Sequence, residues 1–292
     1  MKELNVQFEG KLQLAIDIFT GVHPKKFLHQ LISGQLDVDR MDYLTRDSFF
    51  SGVNEGVIGY DRILKMLTVH NGELMVEEKG IYSIEKFLVA RRLMYWQVYL
   101  HKTVLSAEHM MIKLLQRASD LAATGMNVPA TGYLALFLNK EIKADDFHSD
   151  DLTIRKRALH HFAYLDDADI LCSIKGWMDH PDPILSNLSR ALIDRKLFKI
   201  KLSATPFPES KLTHLKQLSA DRFGISIEEA AFIVIDGEIT NSAYDEEAEN
   251  IYILYKNGKL KDIKEASDIN LEGLTKTVRK HFVCYPGEIT TR

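Results

Sequence analysis

The sequence predicts a mainly α-helical domain over residues 1–195. A small α+β domain follows over residues 196–292, with the β-α-β-β-α-β order of a ferredoxin-like fold. Three observations predict this. From Ile84 to Ala123 apolar residues recur at helical spacing, with no Gly or Pro between them. Near Leu197 the pattern changes: Phe198-Lys199-Ile200-Lys201-Leu202 alternates with period two, as a half-buried strand does. The 292 residues also suit about two domains of roughly 100–200 residues each.

The first element is an amphipathic helix, Leu4 to Phe19, with Leu12, Leu14, Ile16, Ile18 and Phe19 as apolar members. It begins with no leading element to pack on, so the expectation is a chain that starts inside a domain. Pro24 suits the first turn of the next helix, because its fixed φ fits there and its missing N–H is not needed. A helix from about Val38 to Phe50 stops near Gly52. A glycine-rich loop, Ser51 to Gly59, and a short helix, Tyr60 to Leu67, come next. Asn71-Gly72 between apolar runs predicts a hairpin over Thr68 to Val76, since both central residues of a type I′ turn need positive φ. Ser83 is placed as the N-cap of the long helix.

Thr124 to Asp151 is punctuated by Gly125, Pro129 and Gly132. Helices are predicted over Asp151 to His161, Asp167 to Met178 and Ile184 to Leu197. In the tail the expected order is strand Phe198–Leu202, helix Lys211–Phe223, strand Ala231–Ile235, strand Asn250–Tyr255 with a turn at Asn257-Gly258, helix Leu271–Arg279 and strand His281–Tyr285.

Composition bounds the function. Apolar content of 46% and charged content of 27% are ordinary for a globular protein. A net charge of −4 gives no global attraction to nucleic acid. No apolar run is long enough for a membrane helix, and no secretory leader follows Met1. The two cysteines, Cys172 and Cys284, read as a reduced pair in a cytoplasmic protein.

One stretch concentrates the chemistry: Leu36-Asp37-Val38-Asp39-Arg40-Met41-Asp42-Tyr43-Leu44-Thr45-Arg46-Asp47. On a helix, Asp39, Tyr43, Arg46, Asp47 and Phe50 share one face, while Val38, Met41, Thr45 and Phe49 form the opposite side. Such a front can bind a divalent metal through carboxylate, clamp phosphate through Arg and stack through Tyr. It reads equally as a solvated helix with i,i+4 pairs such as Asp42–Arg46, each worth about 0.2–0.5 kcal/mol. The long helix offers a second such face, with Arg91, Tyr95, Val98, Tyr99 and Lys102. Core packing with snorkelling cations is its alternative.

The Asp-rich stretch matches every fixed position of the pattern D-V-D-[KR]-x-D-Y-x-x-R-D. It resembles the segment bearing the last aspartate of the HD-domain phosphohydrolases, in the branch of the SAM-and-HD-domain dNTP triphosphohydrolases and the bacterial dGTP triphosphohydrolases. Arg91 followed eight residues later by Tyr99-Leu100-His101-Lys102 resembles a helix of the same branch. The likeness spans nearly the whole chain. It implies that the helical part is an HD-type domain, incomplete at its N-terminus.

The resemblance assigns Asp39 as one metal ligand. It assigns Arg40, Tyr43, Asp47, Arg91, Tyr95 and Tyr99 as substrate-binding residues on the phosphates and sugar of a nucleotide. Tyr95 stands where the family pattern has a histidine. No catalytic residue is named within this chain. The family's first His and its His-Asp pair would lie upstream of Asp37, and none of the eleven histidines is followed by Asp. The expectation is therefore the C-terminal part of a longer, metal-dependent nucleotide phosphohydrolase, a dGTP-like dNTP triphosphohydrolase. The divalent metal, Mg, Mn, Fe or Zn, would belong to the intact parent and not be held by this chain alone. A dNTP substrate and homo-oligomers are the expected partners, with no membrane and no specific nucleic-acid binding. The alternative is a non-catalytic nucleotide-binding or oligomerisation module.

Overall fold

The computed structural model describes residues 2–241 and 250–290. Six helices open the chain: α1 (Lys2–Gln7), α2 (Gln13–Phe19), α3 (Lys26–Ser33), α4 (Val38–Ser51), α5 (Tyr60–Met66) and, after the hairpin β1 (Leu67–His70) and β2 (Glu73–Glu77), α6 (Ile81–Met94). Next come α7 (Lys102–Ala123), α8 (Gly132–Leu138), α9 (Leu152–Ala163), α10 (Asp167–Trp177), α11 (Pro183–Ile193), β3 (Lys199–Ser203), α12 (Glu209–Phe223) and β4 (Ile235–Asn241). The chain ends with β5 (Tyr252–Leu254), β6 (Leu260–Asp262), α13 (Ile263–Ala266), α14 (Glu272–Thr275) and β7 (Val278–Tyr285).

The chain forms two compact units, one of residues 1–101 and 240–279, the other of residues 102–239 and 280–292. The division does not fall near 195. The expected tail is shared between the units because its strands join two different sheets. In the first unit β5 and β6 extend the hairpin, giving the order β1-β2-β5-β6, with Val76 opposite Ile253 in a parallel pair. In the second, the order is β3-β7-β4, with Ile200 opposite Cys284. The single ferredoxin-like sheet expected from element order is therefore not formed. Element order carries no information on partners, and β5 completes its sheet with a strand from the start of the chain.

Local chemistry explains the elements that match expectation. Asp37 caps α4, accepting from the Arg40 backbone N–H at 2.7 Å. Gly52 ends that helix with φ 72°, a left-handed conformation that suits glycine. Asn71 and Gly72 have φ 52° and 80°, as the two-residue hairpin requires. Asp151, Asp166 and Asp182 cap α9, α10 and α11 through their side chains.

Other expectations are corrected. The first amphipathic helix is two, α1 and α2, separated by a turn in which Glu9 and Gly10 have positive φ. Pro24 precedes α3, whose first residue is Lys26, instead of lying in its first turn. Gly80, not Ser83, precedes α6. The long helix breaks: residues Tyr95–Tyr99 form a π-helical turn with Leu100 N–H donating to the Tyr95 carbonyl at 2.7 Å, and α7 starts anew at Lys102. Ala231 and Phe232 belong to a short 3₁₀ turn, and Ile233 and Val234 are buried beyond it. The apolar run reports burial there and not strand, an ambiguity that periodicity alone does not resolve. The helix expected over Leu271–Arg279 is only α14, because Val278 already begins β7.

Each unit has its own core. In the first, Leu44, Ile63, Ile84, Phe87, Met94 and Ile253 are fully buried. In the second, Met110, Leu114, Trp177, Leu185 and Leu188 are, with Trp177 donating to the Pro129 carbonyl at 2.6 Å. Cys172 is exposed and Cys284 buried, both free.

Candidate functional site

The site is built from α4 and the end of α6 with its π turn, all within the first unit. Packing fixes the rotation of α4: Met41, Leu44 and Ser48 are its buried side. The apolar back expected at Val38, Thr45 and Phe49 instead lines an open cleft of about 680 Å³ with Tyr60 and Leu64. Phe49 and Phe50 are 80% and 79% exposed. Arg46 and Phe50, expected on the front, also face this cleft, and Arg46 pairs with Asp42.

The predicted substrate-binding residues converge. The Tyr43 and Tyr99 rings meet edge-on with centroids 5.9 Å apart, and Tyr95 and Tyr99 do so at 5.1 Å. Tyr99 donates to Asp47 Oδ2 at 2.7 Å. The Arg91 guanidinium lies 5.9 Å from the Tyr95 ring centroid and donates to Gln35 Oε1 at 3.3 Å. Arg40 is steered by Asp37, whose Oδ2 accepts from Nε at 3.0 Å. The π turn sets this convergence. It lets the chain pass from α6 into a second helix while Tyr95 and Tyr99 both stay in the cluster, a common use of π turns at functional positions.

Burial first, then the neighbouring Arg40 charge, lowers the Arg91 pKa. Burial, reinforced by Tyr95, pushes Tyr43 up to about 12, against the pull of Arg91 and Arg40. Burial and the hydrogen bond to Asp47 hold Tyr99 well above the usual phenol range. The raised values keep both phenols protonated at neutral pH, and arginine is not deprotonated in proteins, so the cluster presents phenol O–H donors and guanidinium cations.

Asp39 stands apart, exposed in the first turn of α4. Among the described residues no three His, Cys, Asp or Glu side chains gather as a metal-ligating set. The residues present therefore do not fit a complete divalent-metal site. Gln35 and Asp37 were missed as members of the site. Asp37 had a legible signal, an Asp immediately before a predicted helix start; Gln35 had none.

A family model described as an HD-associated region matches residues 58–128, which include Arg91, Tyr95 and Tyr99. The crystal structure of a phosphohydrolase from Bacteroides thetaiotaomicron superposes with a TM-score of 0.90 and 47% identity, covering 97% of this chain and 70% of that one. The chain belongs to the HD-domain phosphohydrolase superfamily.

Within that superfamily, the uncharacterized protein YwfO of Bacillus subtilis is 29% identical over 290 residues, covering 96% of this chain and 62% of YwfO. A Dictyostelium discoideum protein named as a deoxynucleoside triphosphate triphosphohydrolase SAMHD1 homolog is 29% identical over 109 residues, 35% of this chain and 21% of that protein. The chain thus spans about two thirds of the phosphohydrolase and less than two thirds of YwfO. Among the described residues no helix is long and apolar enough to cross a membrane.

Proposed function

We propose that this chain forms the nucleotide-contacting part of a phosphohydrolase, and that the nucleotide is a deoxynucleoside triphosphate. One observation carries the reading: the Arg40 guanidinium lies close enough to Arg91 for its charge to lower the Arg91 pKa, and both stand beside three clustered tyrosines. A polyphosphate between the cations relieves that repulsion, and Arg can hold its oxygens bidentately. The tyrosine rings offer apolar faces to the sugar or base. The Tyr99–Asp47 pair offers a fixed carboxylate to a sugar hydroxyl.

The roles are Arg40 and Arg91 on phosphate, Tyr43, Tyr95 and Tyr99 around the sugar and base, and Asp47 on a sugar hydroxyl. Asp39 is proposed as one carboxylate ligand toward a divalent metal in the complete enzyme, whose other ligands lie outside this set. Similarity to the Dictyostelium deoxynucleoside triphosphate triphosphohydrolase homolog supports the deoxynucleotide class. A non-catalytic nucleotide-binding role for this chain by itself is the second reading, favoured by the incomplete ligand set.

Calorimetry with dGTP and with deoxyguanosine tests the proposal. The triphosphate is expected to bind at least tenfold more tightly, since the cations read phosphate. Equal affinity, or no binding of either, overturns it. Incubation with dNTPs and Mn²⁺ or Mg²⁺ is expected to release no triphosphate from this chain alone. Turnover that disappears in Asp39→Ala would show the ligand set to be complete and remove the second reading.

A further inference from the structure

The second unit contains a cleft of about 580 Å³ bordered by α11, α12, β3 and the turn after β7. This lies within the range of roughly 300–1,000 Å³ usual for small-molecule sites. Its floor is apolar: Leu188 and Ile233 close the bottom, and the half-buried Phe198 and Phe223 expose ring surface. The neutral polar side chain that lines it, Asn187, donates to the Pro183 carbonyl of its own helix at 2.7 Å. The floor therefore offers no set of donors and acceptors for reading a base edge.

The charge sits on the rim, which carries Glu288, 3.9 Å from Arg222, as well as cations. Arg190 is engaged by Asp179 at 2.8 Å. Lys196 is only loosely paired, 3.7 Å from Asp194, and both are exposed. Lys199 stands exposed on β3 beside it. The chain reaches this arrangement through a left-handed turn at Arg195, φ 56°, in which Lys196 N–H donates back to the Ala191 carbonyl at 2.9 Å. Glycine is the residue that adopts this conformation without cost. With Arg there, the turn still carries Lys196, Leu197 and Phe198 over the cleft.

We propose that this cleft binds an amphipathic organic anion. Its apolar body lies on Phe198 and Phe223, and a single carboxylate or phosphate head meets Lys196 and Lys199. An apolar floor without hydrogen-bonding side chains, under two adjacent lysines, suits that ligand better than a nucleotide or a bare inorganic anion. The site uses no residue of the tyrosine–arginine cluster and is independent of the function proposed above.

The test is calorimetric titration of the chain with decanoate, decyl phosphate, decanol and inorganic phosphate, each below its aggregation limit. One-site binding of decanoate or decyl phosphate is expected, and the tighter of the two identifies the head group. Decanol is expected to bind at least tenfold more weakly, and inorganic phosphate not measurably. In the double variant Lys196→Glu with Lys199→Glu, two exposed positions whose change leaves the core intact, affinity is expected to fall at least tenfold. Ala191→Trp, which fills the cleft, is expected to abolish binding with an unaltered circular dichroism melt. No saturable binding of either amphiphile, affinity unchanged by the charge reversal, or inorganic phosphate binding as tightly as the amphiphiles would each overturn the proposal.

Discussion

Tyr43 and Tyr99 show how single residues report on the cluster. Both have folded-state pKa values above the unfolded value near 10, Tyr43 at about 12, chiefly through burial. A raised pKa means that the folded state holds the proton more tightly. Its stabilising contribution is complete below pH about 10 and is lost as pH climbs through the folded pKa. Urea melts of the wild type are therefore expected to weaken between pH 10 and 12. The double variant Tyr43→Phe with Tyr99→Phe should lose less stability over that interval. An unchanged alkaline slope would mean that the phenols are not buried as the structure has them.

Part of this scale was legible in sequence: helical spacing grouped Tyr43 with Asp47 and Arg91 with Tyr95 and Tyr99, and these side chains lie together, whereas Arg40 entered through the family resemblance alone. What was not legible was the rotation of α4. Phe49 looked like core by type, yet it is 80% exposed, and Ser48 is buried because its hydroxyl donates to the Val53 carbonyl at 2.8 Å. That hydrogen bond lets Ser48 sit inside with Met41 and Leu44, and hydropathy does not report it.

At the scale of elements, two features hold the site helices. Asp37 caps α4 and restrains Arg40 at once. Asp37→Ala is expected to lower stability by about 1–2 kcal/mol and to loosen the Arg40 side chain. Thermal melts, with Asp37→Asn as the variant that retains a capping oxygen, measure the first effect. The second is Gly56, in the turn after α4, which packs against both α4 and α6. A Cβ there would lie 2.7 Å from Ser48 Cβ, 2.8 Å from the Leu44 carbonyl oxygen and 2.8 Å from Met94 Sδ. Gly56→Ala is expected to cost about 1–3 kcal/mol, because a backbone oxygen cannot move aside as a side chain can. A melt within error of wild type would contradict this packing.

The glycine stop at Gly52 and the Asn71-Gly72 hairpin were legible because each depends on residues a few positions apart, whereas the cap placed at Ser83 was overturned. The π turn at Tyr95–Tyr99 was not legible. Its residues carry ordinary helical spacing, and a register change from i→i−4 to i→i−5 leaves no compositional mark.

At the scale of the molecule, the second unit is tied by a half-buried charge network around the buried Asp182. Arg117 Nη2 lies 2.5 Å from Asp182 and 2.8 Å from Glu229. Burial pushes the Asp182 carboxyl up, but hydrogen bonds from Arg117 and from the Leu185 N–H outweigh it and hold it below the usual range. A depressed carboxyl pKa contributes stability that is present above pH about 4 and lost as pH falls through the folded value. The difference between melts at pH 7 and pH 3 should therefore shrink in Arg117→Met. At pH 7 that variant is expected to lose about 3–5 kcal/mol by leaving a buried carboxylate without its partner. Strand partnership was the least legible feature at this scale. That β5 pairs with β2, and β3 with β7, depends on contacts between distant segments, on which local pattern is silent.

In the proposed role, the α4–α6 cluster holds a nucleoside triphosphate through Arg91. Titration calorimetry of dGTP into the wild type and Arg91→Ala, with circular dichroism to confirm that both are folded, tests it most directly. One-site binding weakened at least tenfold by the substitution, about 1.4 kcal/mol or more, is the predicted result. Binding of equal strength in a folded Arg91→Ala, or no saturable binding to the wild type, would contradict it.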